Sequence, residues 1–307
     1  MSKYNIHPDF AKFQKIYIPM DKVALPIYDF FLTKAFYDKR LKNSVTENRA
    51  TVKSYEGKEI KLTIIRPKNA EKKLPALVYF HGGAFALQAS AGQKETLADF
   101  AEKTPCTVIF ADYRLLPKAT FPTGLEDCFA AYKWVLGHSA KLGIDDKKIA
   151  VGGDSAGGCL ALGVSLLARE RGAAMPCFQL LIYPVTDERQ ATHSMKKFID
   201  TPLWNQPLNK KMWELYLADG LPLPKMFASP AEAQSYKGLP KSYIEVSEFD
   251  CLRDEGIILA KRLEEEGIEV TLSKTERTIH GFEIAPNNPI VKQAIEDRIG
   301  ALRRAFE

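Results

Sequence analysis

The chain has 307 residues, of which 46% are apolar and 26% charged, and its formal net charge is +5. That make-up belongs to a soluble globule with enough apolar material for a sizeable core. Its 43 basic and 38 acidic residues are dispersed along the whole length, which excludes the clustered basic face of a nucleic-acid binder.

In chain order, the opening MSKYNIHPDF has no apolar run of the kind a secretory signal carries. Residues 1–48 read as a largely helical arm rich in Phe and Tyr, and its first residues, His7 included, read as disordered. Within it VALPIYDFFLTKAFY (23–37) is apolar, but Pro26, Asp29 and Lys34 interrupt it and it is too short to span a bilayer. An amphipathic helix lying on the protein's own surface is expected there, without stable membrane insertion. TVKSYEGKEIKLTIIRP then gives two short strands around the turn EGKE, with Ile60, Leu62 and Ile64 alternating at period two.

Fully apolar runs follow: PALVYF (75–80), CTVIFAD (106–112), KIAVGG (148–153), FQLLIYP (178–184) and SYIEVSE (242–248). Such runs suit strands covered on both faces. Helical patterns separate them at 124–138, 156–171 and 252–267, and PIVKQAIEDRIGALRRAF closes the chain as a further amphipathic helix. The alternation predicts an α/β fold whose mostly parallel sheet is sandwiched by helices. Residues 187–227, with Trp204, Trp213 and Tyr216, break the rhythm and read as a cap inserted in a catalytic domain spanning 49–307, with 1–48 as a second cap element. Five cysteines, odd in number and lacking any CxxC, fit reduced buried thiols in a cytoplasmic protein rather than disulfides or a zinc site. A homodimer is plausible from exposed sheet edges and the arm.

The chemistry concentrates in GGDSAGG (152–158), between an apolar run and a helical pattern. A phosphate-binding loop needs Lys after its last glycine, but Cys159 stands there; a dinucleotide GxGxxG needs glycine where Ser155 stands. GxSxG fits, as Gly153-Asp154-Ser155-Ala156-Gly157. A serine on a sharp strand-to-helix turn is lifted above the sheet edge, and small neighbours are required because strand and helix nearly touch. The Ala156 N–H, opening that helix, becomes an anion-stabilising donor. Upstream, VYFHGGAF ends a strand with His81-Gly82-Gly83, and the backbone N–H groups of Gly82 and Gly83 are the expected partner donors.

A base must follow Ser155 in the order serine, acid, histidine. Of five histidines, His7 lies in the terminus, His81 precedes the glycines, His138 ends a helix and His193 lies in the insertion. His280, in a loop after the strand-like EVTLSK, meets the requirement. SEFDCLRDEG offers Glu248, Asp250, Asp254 and Glu255 as the acid. Asp250 falls at the carboxyl end of a strand, whereas Asp254 and Glu255 sit in a first helical turn where acids complement the dipole. Asp250 is therefore chosen, with Asp254 second, and Asp154 is taken as structural.

These motifs in order, HGGAF (81–85), DYRLLP and FPTGLEDC (112–128), GGDSAGG (152–158), FDCLRDEG (249–256) and HGF (280–282), resemble the hormone-sensitive-lipase-like branch of the α/β-hydrolases. This is the branch of the bacterial family IV esterases, related to arylacetamide deacetylase, and the likeness covers roughly residues 50–307. The resemblance implies an α/β-hydrolase fold with a helical cap, Ser155 as nucleophile, His280 as base and Asp250 as its orienter. It further implies an oxyanion hole of Gly82, Gly83 and Ala156, with no metal or cofactor. The chain departs from the family pattern at Ala84, where a third glycine is usual, at Lys118, where an acid is usual, and at Cys251, where proline is usual.

The expected activity is hydrolysis of short- to medium-chain, fairly hydrophobic carboxylic esters through an acyl-enzyme. An aryl-amide or acetyl-group deacetylase would use the same residues. A non-catalytic small-molecule receptor on the same scaffold is the remaining alternative, and such receptors lose a triad member, most simply the histidine.

Overall fold

The computed structural model describes residues 3–16, 18–21, 23–70 and 73–307. The described residues form one eight-stranded sheet from β1 (Val45–Lys53), β2 (Glu59–Pro67), β3 (Leu74–Phe80), β4 (Thr107–Asp112), β5 (Ile144–Asp154), β6 (Phe178–Ile182), β7 (Lys241–Phe249) and β8 (Val270–Ile279). Their spatial order is β1-β2-β4-β3-β5-β6-β7-β8. The first two pair antiparallel, as the alternation of Ile60, Leu62 and Ile64 anticipates, and β2 pairs antiparallel with β4. From β4 to β8 all pairing is parallel.

The runs read as doubly covered are so. β6 is buried at every position, and β3 and β4 at all but one each. Helices Thr123–Leu142, Ala156–Glu170 and Arg253–Glu265 pack one face; Ala91–Lys103 and Pro289–Phe306 pack the other. The core accordingly divides into two apolar clusters, one per face. The strands β5 and β8 run longer than their apolar runs suggest, so His280 is the first residue past a strand end rather than a member of a long loop.

One sequence reading is corrected here. His7 is ordered: its N–H donates to the Arg277 carbonyl at 2.9 Å, and its ring caps the short helix Pro8–Ala11 by accepting from Asp9 N–H. Local composition gave no sign of that long-range anchor.

The architecture places a row of residues on one edge. His81, Ser155, Tyr183, Asp250 and His280 are the first residues beyond β3, β5, β6, β7 and β8, respectively. In an open parallel sheet that edge, outside the carboxyl ends, is where ligands bind.

Candidate active site

The turn at Ser155 is imposed by crowding. A Cβ on Gly157 would lie 1.9 Å from the Phe80 carbonyl oxygen, and one on Gly153 would lie 2.4 Å from the Gly157 backbone. The strand end of β3, the strand end of β5 and the departing helix thus meet with no space for a methyl group. Ser155 absorbs the bend at φ 55°, ψ −118°, a sparsely populated conformation that costs an L-residue about 1–3 kcal/mol. Its N–H is held by the Ile182 carbonyl at 2.9 Å.

The fold brings the three distant side chains together. His280 Nε2 lies 2.8 Å from Ser155 Oγ, and its Nδ1 lies 2.7 Å from Asp250 Oδ2. Asp250 is fully buried, and its other oxygen accepts the Leu252 N–H at 2.9 Å, so the carboxylate is oriented from both sides. The rejected acids are engaged elsewhere. Asp254 accepts from the Ser194 N–H at 2.7 Å and from Arg253, Glu248 accepts from the Arg277 N–H, and Glu255 accepts from the Thr186 N–H. Burial pushes the Glu255 carboxyl well up from its ordinary value. The Tyr183 ring meets the His280 ring edge-on, with centroids 4.6 Å apart.

One expected oxyanion donor is displaced. The Gly82 N–H donates to Asp154 Oδ1 at 3.1 Å, so it is spent inside the protein. The wall of the cavity at Ser155 is instead formed by Gly83 and Ala84. Both have positive φ, 104° and 58°, and a Cβ on Gly83 would lie 2.2 Å from the Leu87 carbonyl oxygen. The pattern HGGA makes its two glycines the expected donors, and it carries no sign that Asp154, 72 residues on, engages the first of them.

Asp154 is the residue sequence reasoning undervalued. Besides Gly82, it accepts from the Tyr79 hydroxyl at 2.7 Å and from Gln93 Nε2 at 2.9 Å. It thereby ties the loop after β3 to the loop after β5 and to helix Ala91–Lys103. Burial raises its carboxyl above the usual range, opposed by the Tyr79 and Gly82 donors. Its place directly before Ser155 was the available signal. His81 supports the same loop: its ring stacks on Tyr113 at 4.4 Å, its Nδ1 lies 2.6 Å from the Gly82 carbonyl, and burial lowers its pKa to about 4. It stays neutral at ordinary pH, its ring stacked between Tyr113 and Phe110.

Ser155 and His280 open onto a cavity of about 970 Å³. Tyr28 and Leu32 of helix Ala24–Asp38 line it, as does Trp204 from the 187–227 segment. The start of the chain, ahead of that helix, is joined to the 187–227 segment at Asp200, whose carboxylate accepts from Lys3 at 2.9 Å and the Tyr4 hydroxyl at 2.7 Å. Tyr216, in helix Gln206–Tyr216, stacks on Phe85 with centroids 3.9 Å apart, so the 187–227 segment also braces the loop after β3. Among the described residues no group of three or more His, Cys, Asp or Glu is placed to share a metal ion, and no helix is long and apolar enough to cross a membrane.

The arrangement can carry out nucleophilic substitution at a carbonyl: a hydroxyl at the cavity wall, an imidazole in reach, and a carboxylate on the far ring nitrogen. Comparison with known proteins bears on which carbonyl. A family model described as alpha/beta hydrolase fold matches residues 77–284. Carboxylesterase NlhH of Mycobacterium tuberculosis is 33% identical over 259 residues, covering 82% of this chain and 81% of the relative. An arylesterase of Saccharolobus solfataricus is 30% identical over 308 residues, 97% of each. Among solved structures, a bacterial heroin esterase superposes with a TM-score of 0.90 at 32% identity, over 99% of this chain and 98% of the other.

Proposed function

We infer the function from one premise, that this chain belongs to the α/β-hydrolase fold family, in its hormone-sensitive-lipase-like branch: it is a carboxylic ester hydrolase that works through a serine acyl-enzyme. The observation that carries the mechanism is the unbroken hydrogen-bonded line Ser155–His280–Asp250 at the mouth-facing end of the sheet.

In this reading His280 Nε2 takes the proton as Ser155 Oγ attacks the ester carbonyl. Asp250 holds the proton on Nδ1, keeping Nε2 available as acceptor and stabilising the imidazolium that forms. The negative oxygen of the tetrahedral intermediate is held by the backbone N–H groups of Gly83, Ala84 and Ala156. Gly82 is replaced in that role because its N–H is committed to Asp154. Each such donor contributes about 3–4 kcal/mol to the barrier reduction. The intermediate collapses as His280 protonates the departing alcohol, and water then repeats the cycle to free the acid and Ser155.

The same reading makes the arm (1–48) and the 187–227 segment the cap of a pocket sized for short to medium acyl chains. A triad complete in both spacing and order favours catalysis over a receptor role.

The test is mass spectrometry after treatment with a fluorophosphonate, with nitrophenyl esters from acetyl to palmitoyl assayed alongside. Wild type is expected to gain one adduct at Ser155 and to favour short and medium esters, while Ser155→Ala gains none and loses about 10⁴-fold or more in kcat. An unshifted mass, or an adduct on another residue, overturns the mechanism. Faster cleavage of a matched aryl amide than of its ester would move the assignment to a deacetylase.

A further inference from the structure

One wall of the cavity is polar in a way the triad does not require. Glu283, three residues beyond His280, has one carboxylate oxygen on Arg298 Nη2 and the other accepting from the Tyr183 hydroxyl at 2.8 Å. Arg298, from helix Pro289–Phe306, is only 2% exposed. Its guanidinium donates through Nε at 2.9 Å and Nη2 at 2.5 Å to the two oxygens of Glu245, which is wholly buried behind the wall in β7.

The charges do not balance. Glu245 and Glu283 face one guanidinium, and Arg298 engages Glu245 in the bidentate fork that matches a carboxylate best. The fork leaves Glu283 the less fully paired of the two carboxylates; its side chain is 21% exposed and lines the cavity, as does Lys292. Asp154 lines the same cavity, its carboxylate already held by Tyr79, Gly82 and Gln93. Acids farther along the lining, Glu95, Asp99 and Glu296, are each paired with a lysine. Well-packed apolar side chains would hold such a wall at least as firmly as a buried ion network. The network's stability thus gives no reason for its presence, whereas recognition does.

Tyr183 ties this wall to the chemistry. It adopts φ 33°, an uncommon conformation for a non-glycine residue, with its N–H held by the Glu245 carbonyl at 2.7 Å. In that pose its hydroxyl fixes Glu283 while its ring abuts His280. Backbone strain retained beside a reactive group points to function.

We propose that Glu283, set between Tyr183 and Arg298, is a specificity-determining residue that favours esters carrying a hydrogen-bond donor, hydroxyl or ammonium, on the substituent lying against it. This rests on the esterase reading and names the substrate class within it. An n-alkyl substituent in that place strips water from a carboxylate and returns nothing; a donor restores the lost hydrogen bond. A site built around a buried polar group discriminates strongly against analogues lacking its partner.

The experiment is titrimetric hydrolysis of two matched series. One varies the acyl part: methyl butanoate, methyl 3-hydroxybutanoate and methyl 3-aminobutanoate. The other varies the alcohol: propyl, 2-hydroxyethyl and 2-aminoethyl acetate. In one of the series wild type is expected to prefer a donor-bearing ester over its alkyl analogue by tenfold or more in kcat/KM. Glu283→Leu should invert that ratio by raising turnover of the alkyl ester, a gain that a misfolded protein cannot produce. Glu283→Gln, which keeps an acceptor without the charge, should retain a hydroxyl preference and lose an ammonium one. Tyr183→Phe should weaken the preference severalfold. A preference for the alkyl ester in both series, or a donor preference that survives Glu283→Leu, overturns the proposal. Failure of wild type to cleave any ester removes the esterase reading itself, which is a distinguishable result.

Discussion

The edge of the sheet and the helices lying over it follow different rules. At the edge, Ser155 and Asp250 are 6% and 0% exposed, and Gly153 and Gly157 beside Ser155 admit no additional methyl group. Over it, helix Ala24–Asp38 shows Phe30 and Phe31 to solvent at 63% and 64%, while Tyr28 and Leu32 of the same helix line the cavity. The first region is fixed by sterics and hydrogen bonds that leave one solution. The second is held by fewer anchors, such as the Gln88 N–H on Asp29 at 2.9 Å and Phe36 stacked on Phe110. The two regions should therefore respond differently to substitution, the edge severely and the covering helix mildly.

That contrast can be broken most severely at the acid. Asp250→Asn is expected to lower kcat by about 10³- to 10⁴-fold, because the carboxamide no longer holds His280 in the required tautomer. Asp254→Asn should stay within about tenfold, since its carboxylate holds only the Ser194 N–H and Arg253. Steady-state kinetics on a nitrophenyl ester decide it, and the reverse ranking would mean the acid is Asp254.

Next comes the turn. Gly157→Ala forces a methyl group against the Phe80 carbonyl, so either the loop before Gly83 shifts or the helix does. Overpacking of this kind costs about 1–3 kcal/mol. The expected outcome is a fall in melting temperature of several degrees together with at least a hundredfold loss in kcat. Activity near wild type would show that the crowding is not what shapes the site.

His81 gives a pH-dependent effect. It is depressed to about 4 by burial, against an ordinary value of 6.5. Below 6.5 the unfolded chain takes up a proton that the folded chain refuses, so stability falls as the pH drops from 6.5 towards 4. The full effect is at most about 3 kcal/mol. Thermal melts across that interval should show the fall, and a flat profile would place His81 in a wetter environment.

The smallest effect belongs to the exposed face of the arm. Phe30→Ser with Phe31→Ser should leave melting temperature within about two degrees and kcat on acetyl esters within about twofold, as surface substitutions do. A large loss of either would show that this face is buried against something.

How much of this was legible in the sequence depends on whether the cause was local. The parallel sheet could be read because strands covered on both faces must be apolar throughout, as PALVYF and FQLLIYP are. The serine turn could be read because its crowding is solved by glycines adjacent in the chain. Asp250 could be told from Asp254 by position relative to a strand end. That the Gly82 N–H is engaged could not be read, because its partner Asp154 lies 72 residues away. His7 was misread for the same reason, its anchor being Arg277.

What the amino-acid sequence determined by itself is the set of elements and the three side chains, Ser155, Asp250 and His280, that meet at the sheet edge, since periodicity and backbone sterics act between near neighbours. Only the tertiary structure decided that the Gly82 N–H is engaged by Asp154 and which charged side chains share the pocket wall. Tyr183, Glu245, Glu283 and Arg298 come from separate elements, and no local pattern marks them. Their meeting depends on how β7 and the last helix pack, and electrostatic interactions follow distance in space rather than along the chain.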